Sequence, residues 1–474
     1  MRVRLLAIPS AAILTIALLS AAGPAAAAPL ARPADPVVLT GANLPTLVNG
    51  PRANIVGFRW TGSAWSQLPV QIDERAVVSF GKVYNNPAAV FYSSQPSLVN
   101  ELVYTGTNTW TGNDPDVKFD SNDELVFMAR DAGVAAPVGA LPAGAAPGSG
   151  VQVQISDPLD PGAEGFVYLF RKAVGSSLKQ GAGVKYVSYA FRLVSGNYKL
   201  TYQLTSGPNP ENTLFTGATY RHHFADRWLS DRLEVTAPGA TAVDVLDRHK
   251  ALFSPTTCVR SEDTFDAPGP FGSSEGAFVT NKVGPVRVIR SYVGANSGPN
   301  TQRTHVFYDR REDIRTDLRV HSIGSIMDFF DYSAAATGMT YRNDFNQAGL
   351  TIDGNPETPA AGLPSWEQVT GPQGTINQVG TLQTTWTPSS IIPYYLDDST
   401  PPTFQCTGDT AAYGSSGIFL NSTLPNTDPG TGGVDHLVGT RTMYFESPGG
   451  TAADGLARRN QVVFPLTTTV TAGP

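Results

Sequence analysis

The sequence predicts an all-β protein in which a large antiparallel β-sandwich follows a smaller N-terminal β block. Short apolar runs recur along the chain and mix with Arg, Lys, Tyr and Ser, as in antiparallel sheets with one solvated face. Glycine and proline are frequent, at 47 and 37 of 474 residues, whereas only 15% of the residues are charged. This composition favours an extracellular β protein with many turns. A β-propeller would also fit the number of strands, but no blade-length repeat occurs.

The N-terminal block is expected over residues 29–131. Its first strands are predicted at Val37–Thr40 and Ile55–Trp60, and apolar residues nearly alternate with polar ones over Trp65–Arg75. The block ends in an acidic, turn-forming loop that leads into Leu125–Ala129, a short apolar run typical of a buried strand. We expect this loop and strand to pair with the alternating segment and to fix the block against the sandwich.

A connection rich in Ala, Gly and Pro separates the block from the sandwich. Residues 132–150 are almost all small residues, which cannot bury much surface or hold a helix. The main sandwich is expected over residues 151–474. Its strands are predicted at Val151–Ile155, Gly165–Lys172, Lys185–Val194, Tyr198–Leu204, Pro285–Val293, Thr304–Tyr308 and Thr316–Ile323.

Helical periodicity is hard to find in the sandwich. Ala225–Val235 and Val243–Leu252 are the only plausible short helices, and either fits a strand as well. From about residue 324 the chain is rich in Gly, Pro, Thr, Asn and Asp. We therefore expect a loop-rich region there, with isolated strands such as Thr440–Phe445 and Gln461–Leu466.

The N-terminus is typical of a secretory signal peptide. Arg2 and Arg4 precede an apolar segment at about Ala11–Ala22, and small residues follow as far as Ala28. We therefore exclude residues 1–28 from the fold and expect a secreted protein, whether extracellular, periplasmic or in the cell envelope. No later segment is apolar over roughly 18 residues, so no membrane span is expected.

The net charge indicates which binding partners to expect, and the cysteine content indicates whether a disulfide can form. The net charge of −7 is mild and there is no run of basic residues, which argues against nucleic acid as a partner. We expect a monomer. Cys258 and Cys406 are the only cysteines, and in an oxidising compartment such a pair favours a disulfide, which would contribute about 4–5 kcal/mol. The alternative is two buried thiols.

The acidic loop offers ligands for calcium. Asp116, Asp120, Asn122 and Glu124 provide carboxylate and amide oxygens within one tight turn, and calcium binds roughly six to eight such oxygens. The spacing differs from that of an EF-hand loop. The alternative is a solvated turn whose Asp and Asn side chains bind their own backbone. No organic cofactor is expected.

The densest group of aromatic, imidazole and guanidinium side chains lies at Tyr220–Glu234, which contains His222 and His223. Adjacent residues of a strand face opposite ways, so one of the two imidazoles could point into a site. A polysaccharide lyase needs such a base, and an Arg that neutralises the uronate carboxylate. A glycoside hydrolase needs two carboxylates instead, and this segment contains three. The alternative is an amphipathic surface segment held by ion pairs.

Two later segments could form a sugar-binding face of a sheet. Gly284–Gly294 contains Arg287, and Arg303–Arg311 contains His305 and Tyr308. Aromatic rings on such a face would serve as stacking platforms for sugars. Ordinary strand alternation, with long side chains covering the sheet, explains the pattern equally well. His-Glu-x-x-His and P-loop motifs do not occur.

Three short motifs resemble those of known families. Leu68–Arg75 and Phe119–Phe127 resemble the P-x-Q-x-D and D-E-L-V-F pairing of uncharacterised exported bacterial proteins, among them the domain-of-unknown-function family of class 4861. Gly284–Arg287 is similar to the Gly-Pro-x-Arg strand of galactose-mutarotase-like super-sandwiches. The resemblance covers about a third of the chain. It implies a super-β-sandwich with carbohydrate-related activity, and it transfers no catalytic residue.

These observations predict an exported carbohydrate-active protein that acts on an extracellular polysaccharide or oligosaccharide. If it is a polysaccharide lyase, we expect His222 or His305, with Tyr308, as base and acid, and Arg287 as the group that binds the uronate carboxylate. The first alternative is a non-enzymatic glycan-binding or cell-envelope protein. A glycoside hydrolase is the second.

Overall fold

The computed structural model describes residues 30–79, 100–106, 109, 111–194, 211–254, 261–262, 277–294, 301–319, 323–400, 405–424 and 436–474. The expected signal peptide, the predicted strand Tyr198–Leu204 and Cys258 fall wholly or mostly outside these residues. Cys406 lies within them and is not a free thiol. Its bridge to Cys258 stays a prediction.

The described residues form strands in six antiparallel sheets, which confirms the prediction of an all-β sandwich. The strands in chain order are β1 (Pro36–Thr40), β2 (Ile55–Trp60), β3 (Trp65–Leu68), β4 (Gln71–Asp73), β5 (Arg75–Ser79), β6 (Asn100–Tyr104), β7 (Glu124–Met128), β8 (Val151–Ser156), β9 (Glu164–Arg171), β10 (Ser188–Ala190), β11 (Thr213–Thr216), β12 (Tyr220–Phe224), β13 (Ser230–Val235) and β14 (Leu246–Phe253). They continue with β15 (Ala277–Val283), β16 (Val288–Val293), β17 (Thr301–Phe307), β18 (Arg311–Arg319), β19 (Ile326–Tyr332), β20 (Thr340–Asn343), β21 (Leu350–Thr351), β22 (Glu367–Gly371), β23 (Gly374–Thr384), β24 (Ile391–Asp398), β25 (Ala412–Leu420), β26 (His436–Glu446) and β27 (Thr467–Ala472). A helix, α1 (Ala452–Val463), lies between the last two strands.

The N-terminal block contains strands from both ends of the described chain. Its larger sheets have the orders β1-β7-β4 and β27-β8-β9-β2-β3, and β5 pairs with β6. Apolar side chains from both larger sheets, including Phe127 and Val153, share one core. The sequence predicts that β8 and β9 belong to the main sandwich. They belong to the block instead, because β9 pairs with both β8 and β2, and the alternating apolar residues of β8 face the block's core.

The connection over residues 132–150 runs along this block. Val134 forms an isolated bridge with Trp60, and Gly133 forms one with Phe166. A chain of small residues can follow a sheet this closely because its side chains need little space. The connection therefore lies beside the five-stranded sheet that β8 and β9 complete.

The main sandwich has two layers. The first is a nine-stranded sheet with the order β15-β16-β17-β18-β26-β23-β22-β20-β21. The second consists of two four-stranded sheets, β10-β11-β12-β13 and β14-β19-β25-β24. The inner faces of both layers supply one large core, which includes Phe215, Phe330, Ile376 and Met443.

Helix positions differ from those that the sequence favoured. Most of Ala225–Val235 is β13, and most of Val243–Leu252 is β14. The described α-helix α1 instead covers the start of the predicted strand Gln461–Leu466. It begins with a capping box formed by Thr451 and Asp454.

No helix of the described residues is both long and apolar enough to cross a membrane.

Candidate functional site

The inner face of the nine-stranded sheet carries an unusual row of polar side chains. Side chains two residues apart on a strand share a face, as do directly paired residues on neighbouring strands. Thr316 of β18 pairs with Arg303 of β17, and Ile314 of β18 pairs with Arg441 of β26. Arg441 therefore lies on the same face as Arg303.

The row continues through the next two strands. Arg441 pairs with Gly380 of β23, and Gln378, two residues from that glycine, pairs with Glu367 of β22. Arg303, Arg441, Gln378 and Glu367 are thus placed along one face by strand register alone. Apolar side chains occupy most other inward positions, so the polar row is local.

A cavity of about 110 Å³ separates this row from the second layer. His249 of β14 and Asp328 of β19 line its opposite side. We call the space bounded by His249, Arg303, Asp328, Glu367, Gln378 and Arg441 the interlayer cavity. Leu363, Pro364 and Trp366 contribute to its apolar wall. A concave space with an apolar wall and a few convergent polar groups is typical of a ligand site.

Two glycines keep the cavity open. A Cβ atom added to Gly439 would meet nothing within 4 Å, and one added to Gly380 would meet only the Thr440 carbonyl oxygen at 3.8 Å. Neighbouring inward positions carry full side chains such as Leu437 and Met443. The missing side chains of the two glycines therefore leave the space that the cavity occupies.

Asp328 is the anionic centre of the interlayer cavity. Arg303 Nη2 donates to its Oδ2 atom, Arg441 Nη2 lies 3.3 Å from Oδ1, and His249 Nε2 lies 3.0 Å from Oδ1. Burial alone would raise the pKa of Asp328, but Arg303, His249 and Arg441 outweigh burial and hold the pKa well below its usual range. Asp328 is therefore a carboxylate at any pH at which the protein would work.

His249 is the neutral partner of this carboxylate. Burial and the neighbouring Arg303 lower its pKa to about 3, although Asp328 acts in the opposite direction. The ring stacks on Phe330, with centroids 4.3 Å apart. Since Asp328 can only accept, His249 carries its proton on Nε2, and Nδ1 accepts from Arg303 Nη1 at 3.3 Å.

The pKa of Glu367 is shifted in the opposite direction from that of Asp328. Burial raises its pKa to about 7, while Arg441 and a hydrogen bond from Tyr341 act in the opposite direction. Tyr341 Oη donates to Glu367 Oε1 at 2.8 Å. Glu367 therefore holds a proton below about pH 7, so the cavity contains one protonated carboxyl and one carboxylate.

Two buried polar atoms of the cavity lack hydrogen-bond partners among the described residues, namely Arg441 Nη1 and Gln378 Oε1. Both side chains are buried, with relative exposures of 9% for Arg441 and 2% for Gln378. The other end of the Gln378 amide is fixed, because Nε2 donates to Tyr332 Oη at 2.7 Å. An unpaired buried polar group costs about 1–3 kcal/mol, so a donor and an acceptor left open beside a cavity indicate a polar ligand.

The two histidines predicted as catalytic lie outside this cavity and within the core. His222 Nδ1 lies 2.9 Å from Glu312 Oε2, and His305 Nδ1 lies 2.8 Å from Glu312 Oε1. Ser230 Oγ contacts His222 Nε2, and Tyr292 Oη lies 2.9 Å from His305 Nε2. The structure thus brings His222 and His305 together on one carboxylate.

This network is fully buried. His222, His305 and Glu312 all have a relative exposure of 0%. Burial would raise the pKa of Glu312, but hydrogen bonds from the imidazoles lower it to about 2, and burial lowers the pKa of His305 to about 4. Each imidazole has both nitrogens engaged by protein groups. Neither histidine offers a free nitrogen to a substrate, so the structure gives them a structural role.

Arg287 and Tyr308, the other two predicted catalytic residues, lie where the N-terminal block meets the sandwich. Arg287 Nε donates to Asp73 Oδ2 at 2.8 Å, and Nη2 donates to Glu124 Oε2 at 2.7 Å. Nη1 donates to Tyr308 Oη at 3.3 Å. With two carboxylates of its own chain bound and 2% of its surface exposed, Arg287 has no position left for a uronate.

The acidic loop is held by its own backbone, and its four predicted calcium ligands do not converge. Asp116 Oδ1 accepts from Lys118 N at 3.0 Å, and Asp120 Oδ1 accepts from Asn122 N at 2.9 Å. Glu124 instead forms salt bridges with Arg75 and Arg287. Asn122 Oδ1 finds no partner among the described residues.

Two other acidic clusters could hold a metal ion by geometry. In the cluster Asp247, Asp331 and Asp409, the ammonium group of Lys250 lies 2.5 Å from Asp331 Oδ2 and supplies the positive charge. The second cluster contains Asp353, Glu357 and Asp397. Asp397 already accepts hydrogen bonds from two backbone amides of the facing turn.

The cavity residues were missed by the sequence analysis, apart from Arg303, which lies in a segment that we selected. Glu367 and Gln378 fall in the region expected to be rich in loops, and Arg441 falls in the isolated strand Thr440–Phe445 predicted within it. A usable signal was the alternation within Gly374–Thr384, where polar and small residues replace the apolar ones of an ordinary buried strand.

No protein-family model matches the chain, and no curated protein matches it.

Proposed function

We propose that the protein is an exported carbohydrate-active protein whose interlayer cavity binds a sugar unit of an extracellular polysaccharide. The observation that supports this most is the pair of open hydrogen-bonding atoms, Arg441 Nη1 and Gln378 Oε1, beside an apolar wall. A sugar ring presents hydroxyl donors and acceptors at its edge and C–H groups on its faces. It can satisfy both open atoms and still cover the apolar wall.

The proposal is tested by isothermal titration of the purified protein with a panel of neutral and acidic oligosaccharides. We expect at least one to bind and Gln378→Leu to weaken that binding about tenfold, because a sugar hydroxyl would lose its acceptor. Gln154→Leu makes the same substitution on β8 of the N-terminal block, where Gln154 donates to Glu164, and serves as the matched control. Absence of binding throughout the panel, or equal affinity in Gln378→Leu, would argue against the site.

Glycoside hydrolysis is a second candidate, favoured by the two carboxyl groups with opposite protonation states. Such pairs assign the acid and the anion of a glycosidase. Glu367 would protonate the leaving glycosidic oxygen, and Asp328 would stabilise the positive charge that develops on the sugar. Both groups line the same cavity.

Product analysis distinguishes hydrolysis from binding and from elimination. If the protein hydrolyses glycosides, reducing ends appear without the absorbance of unsaturated uronates. Glu367→Gln should then abolish the release of reducing ends. Glu234→Gln changes a carboxyl that pairs with Arg221 at the surface. This variant should leave the rate of reducing-end release unchanged. The absorbance of unsaturated uronates would favour a lyase, and binding without either product would favour a glycan-binding protein.

A further inference from the structure

We propose that the sugar unit bound in the interlayer cavity is acidic, and that its carboxylate binds Arg441 Nη1. This inference rests on the proposed function, since it names the class of sugar that the same cavity takes. Three features of the cavity support it: the number of charges, the open donor of Arg441, and the identity of the groups around Glu367.

The charged groups of the cavity do not balance. Arg303 is fully engaged, because Nε donates to Thr316 Oγ1 at 2.9 Å while its other nitrogens contact His249 and Asp328. Arg441 contributes a second guanidinium to the same carboxylate. Two cations therefore face one ionised carboxylate, and one positive charge remains available to a ligand.

Arg441 is also the cation with a donor to spare. Its Nη2 atom binds Asp328 through the backbone oxygen at 3.2 Å and through Oδ1 at 3.3 Å. Its Nη1 atom has no partner within the described part of the chain. A guanidinium N–H forms its strongest hydrogen bonds with carboxylates, which also neutralise the charge. A neutral hydroxyl would satisfy the donor but leave the charge uncompensated.

The groups that face Glu367 leave the positive charge of Arg441 available to a ligand at acidic pH. Tyr341 and Asp344 approach from β20 and its following turn, Arg441 approaches from β26, and Tyr332 lies close on β19. Among these groups only Arg441 is cationic. When Glu367 carries its proton, β22 places no negative charge beside a ligand carboxylate that binds Arg441. When Glu367 ionises, it takes up the charge of Arg441 and competes with the ligand.

Gln378 completes the recognition of an acidic sugar. Its Oε1 atom can accept from a ring hydroxyl, while the carboxylate of the same ring approaches Arg441. Arg441 pairs directly with Gly380, and Gln378 lies two residues from Gly380 on the same strand. Gln378 and Arg441 therefore lie on one face of adjacent strands. A uronate offers both groups on one ring.

The test uses matched pairs of sugars that differ only in the carboxyl group: galacturonate with galactose, glucuronate with glucose, and the corresponding short oligomers. Titration at pH 5.5 is expected to show at least tenfold tighter binding of the acidic member of one pair. The preference should decline as the pH rises through about 7, where Glu367 ionises. The sugar carboxyl stays ionised throughout this range.

Two variants separate the inference from the proposed function. Arg441→Gln should remove the preference for the acidic sugar while retaining weak binding of both members. Glu367→Gln should keep the preference at pH 8, and this variant decides the matter if Arg441→Gln does not fold. Equal binding of acidic and neutral sugars, or tighter binding of a sulfated sugar, would overturn the inference alone. Failure of every sugar to bind would overturn the proposed function and this inference together.

Discussion

Arg287 shows how a single side chain can join two parts of a fold. Asp73 of β4 and Glu124 of β7 belong to the N-terminal block, whereas Arg287 precedes β16 of the main sandwich. Gln71 strengthens the same contact, because its Oε1 atom accepts from the backbone amides of Val286 and Arg287. The acidic loop and its strand therefore contribute a structural anchor, as we expected from the pairing of these segments.

Replacing Arg287 by Met should destabilise the protein by about 3–5 kcal/mol, because the buried Asp73 loses the guanidinium that binds it and Glu124 keeps only Arg75. The free energy of unfolding in urea measures this loss. Arg315→Met is the matched control, since Arg315 pairs with Asp317 but is about half exposed, and it should cost at most about 1 kcal/mol. Equal losses in the two variants would show that the buried position of Arg287 does not matter.

At the scale of elements, α1 supports the wall of the interlayer cavity. A Cβ atom on Gly455 would come within 2.4 Å of Trp366 Cε3, so the helix packs on this ring through the one residue without a side chain. Arg32 holds the other end of the helix, where it donates to the carbonyl oxygens of Gln461 and Phe464. The position of Trp366 thus depends on α1.

Gly455→Ala should destabilise the protein by about 1–3 kcal/mol through this collision, although alanine is the better helix former by roughly 1 kcal/mol. Thermal unfolding and near-ultraviolet circular dichroism of the tryptophans would detect the change. Leu456→Ala, at the exposed neighbouring position, should change stability by less than about 0.5 kcal/mol. A stabilised Gly455→Ala variant would contradict the packing of α1 on Trp366.

The strands that the sequence predicts and those that it hides differ in what their inner faces carry. In β8 the alternation of Val151, Val153 and Ile155 is complete, and the strand is found as predicted. In β23 and β26 the inward positions include Gln378, Gly380, Gly439 and Arg441. The apolar alternation fails there, so the sequence does not predict β23 and predicts β26 only over Thr440–Phe445.

The members of the site could not be assembled from the sequence for a related reason. Glu367, Gln378 and Arg441 meet only through the register of β22, β23 and β26, and register depends on pairings between distant segments. The fold class required only local patterns. The predicted histidines were conspicuous by composition, but composition does not distinguish a buried network from an accessible site.

At the scale of the whole molecule, the buried imidazoles couple stability to pH. The pKa of His305 is about 4 in the fold and about 6.5 in an unfolded chain. Between these values only the unfolded chain takes up the proton, so this group lowers the free energy of unfolding as the pH falls from 6.5 to 4. Carboxyls with raised pKa values, such as Asp331 and Glu367, act in the opposite direction as the pH rises towards 7.

The contribution of His305 to the pH dependence of stability is therefore measured by comparing His305→Gln with the unaltered protein. His305→Gln should unfold more readily at pH 7, but its stability should fall less between pH 6.5 and 4, by on the order of 3 kcal/mol. Urea unfolding at several pH values measures both quantities. His436→Gln, a partly exposed position, should keep the slope of the unaltered protein. An unchanged slope in His305→Gln would show that this imidazole is not held neutral by the fold.

The sugar site that we propose lies between the two layers of the sandwich. It is tested most directly by a crystal structure of the protein with the tightest-binding oligosaccharide. We predict a sugar ring in the interlayer cavity, with one oxygen within hydrogen-bonding distance of Arg441 Nη1 and a hydroxyl on Gln378 Oε1. A sugar bound elsewhere, with the interlayer cavity filled only by water, would contradict the account.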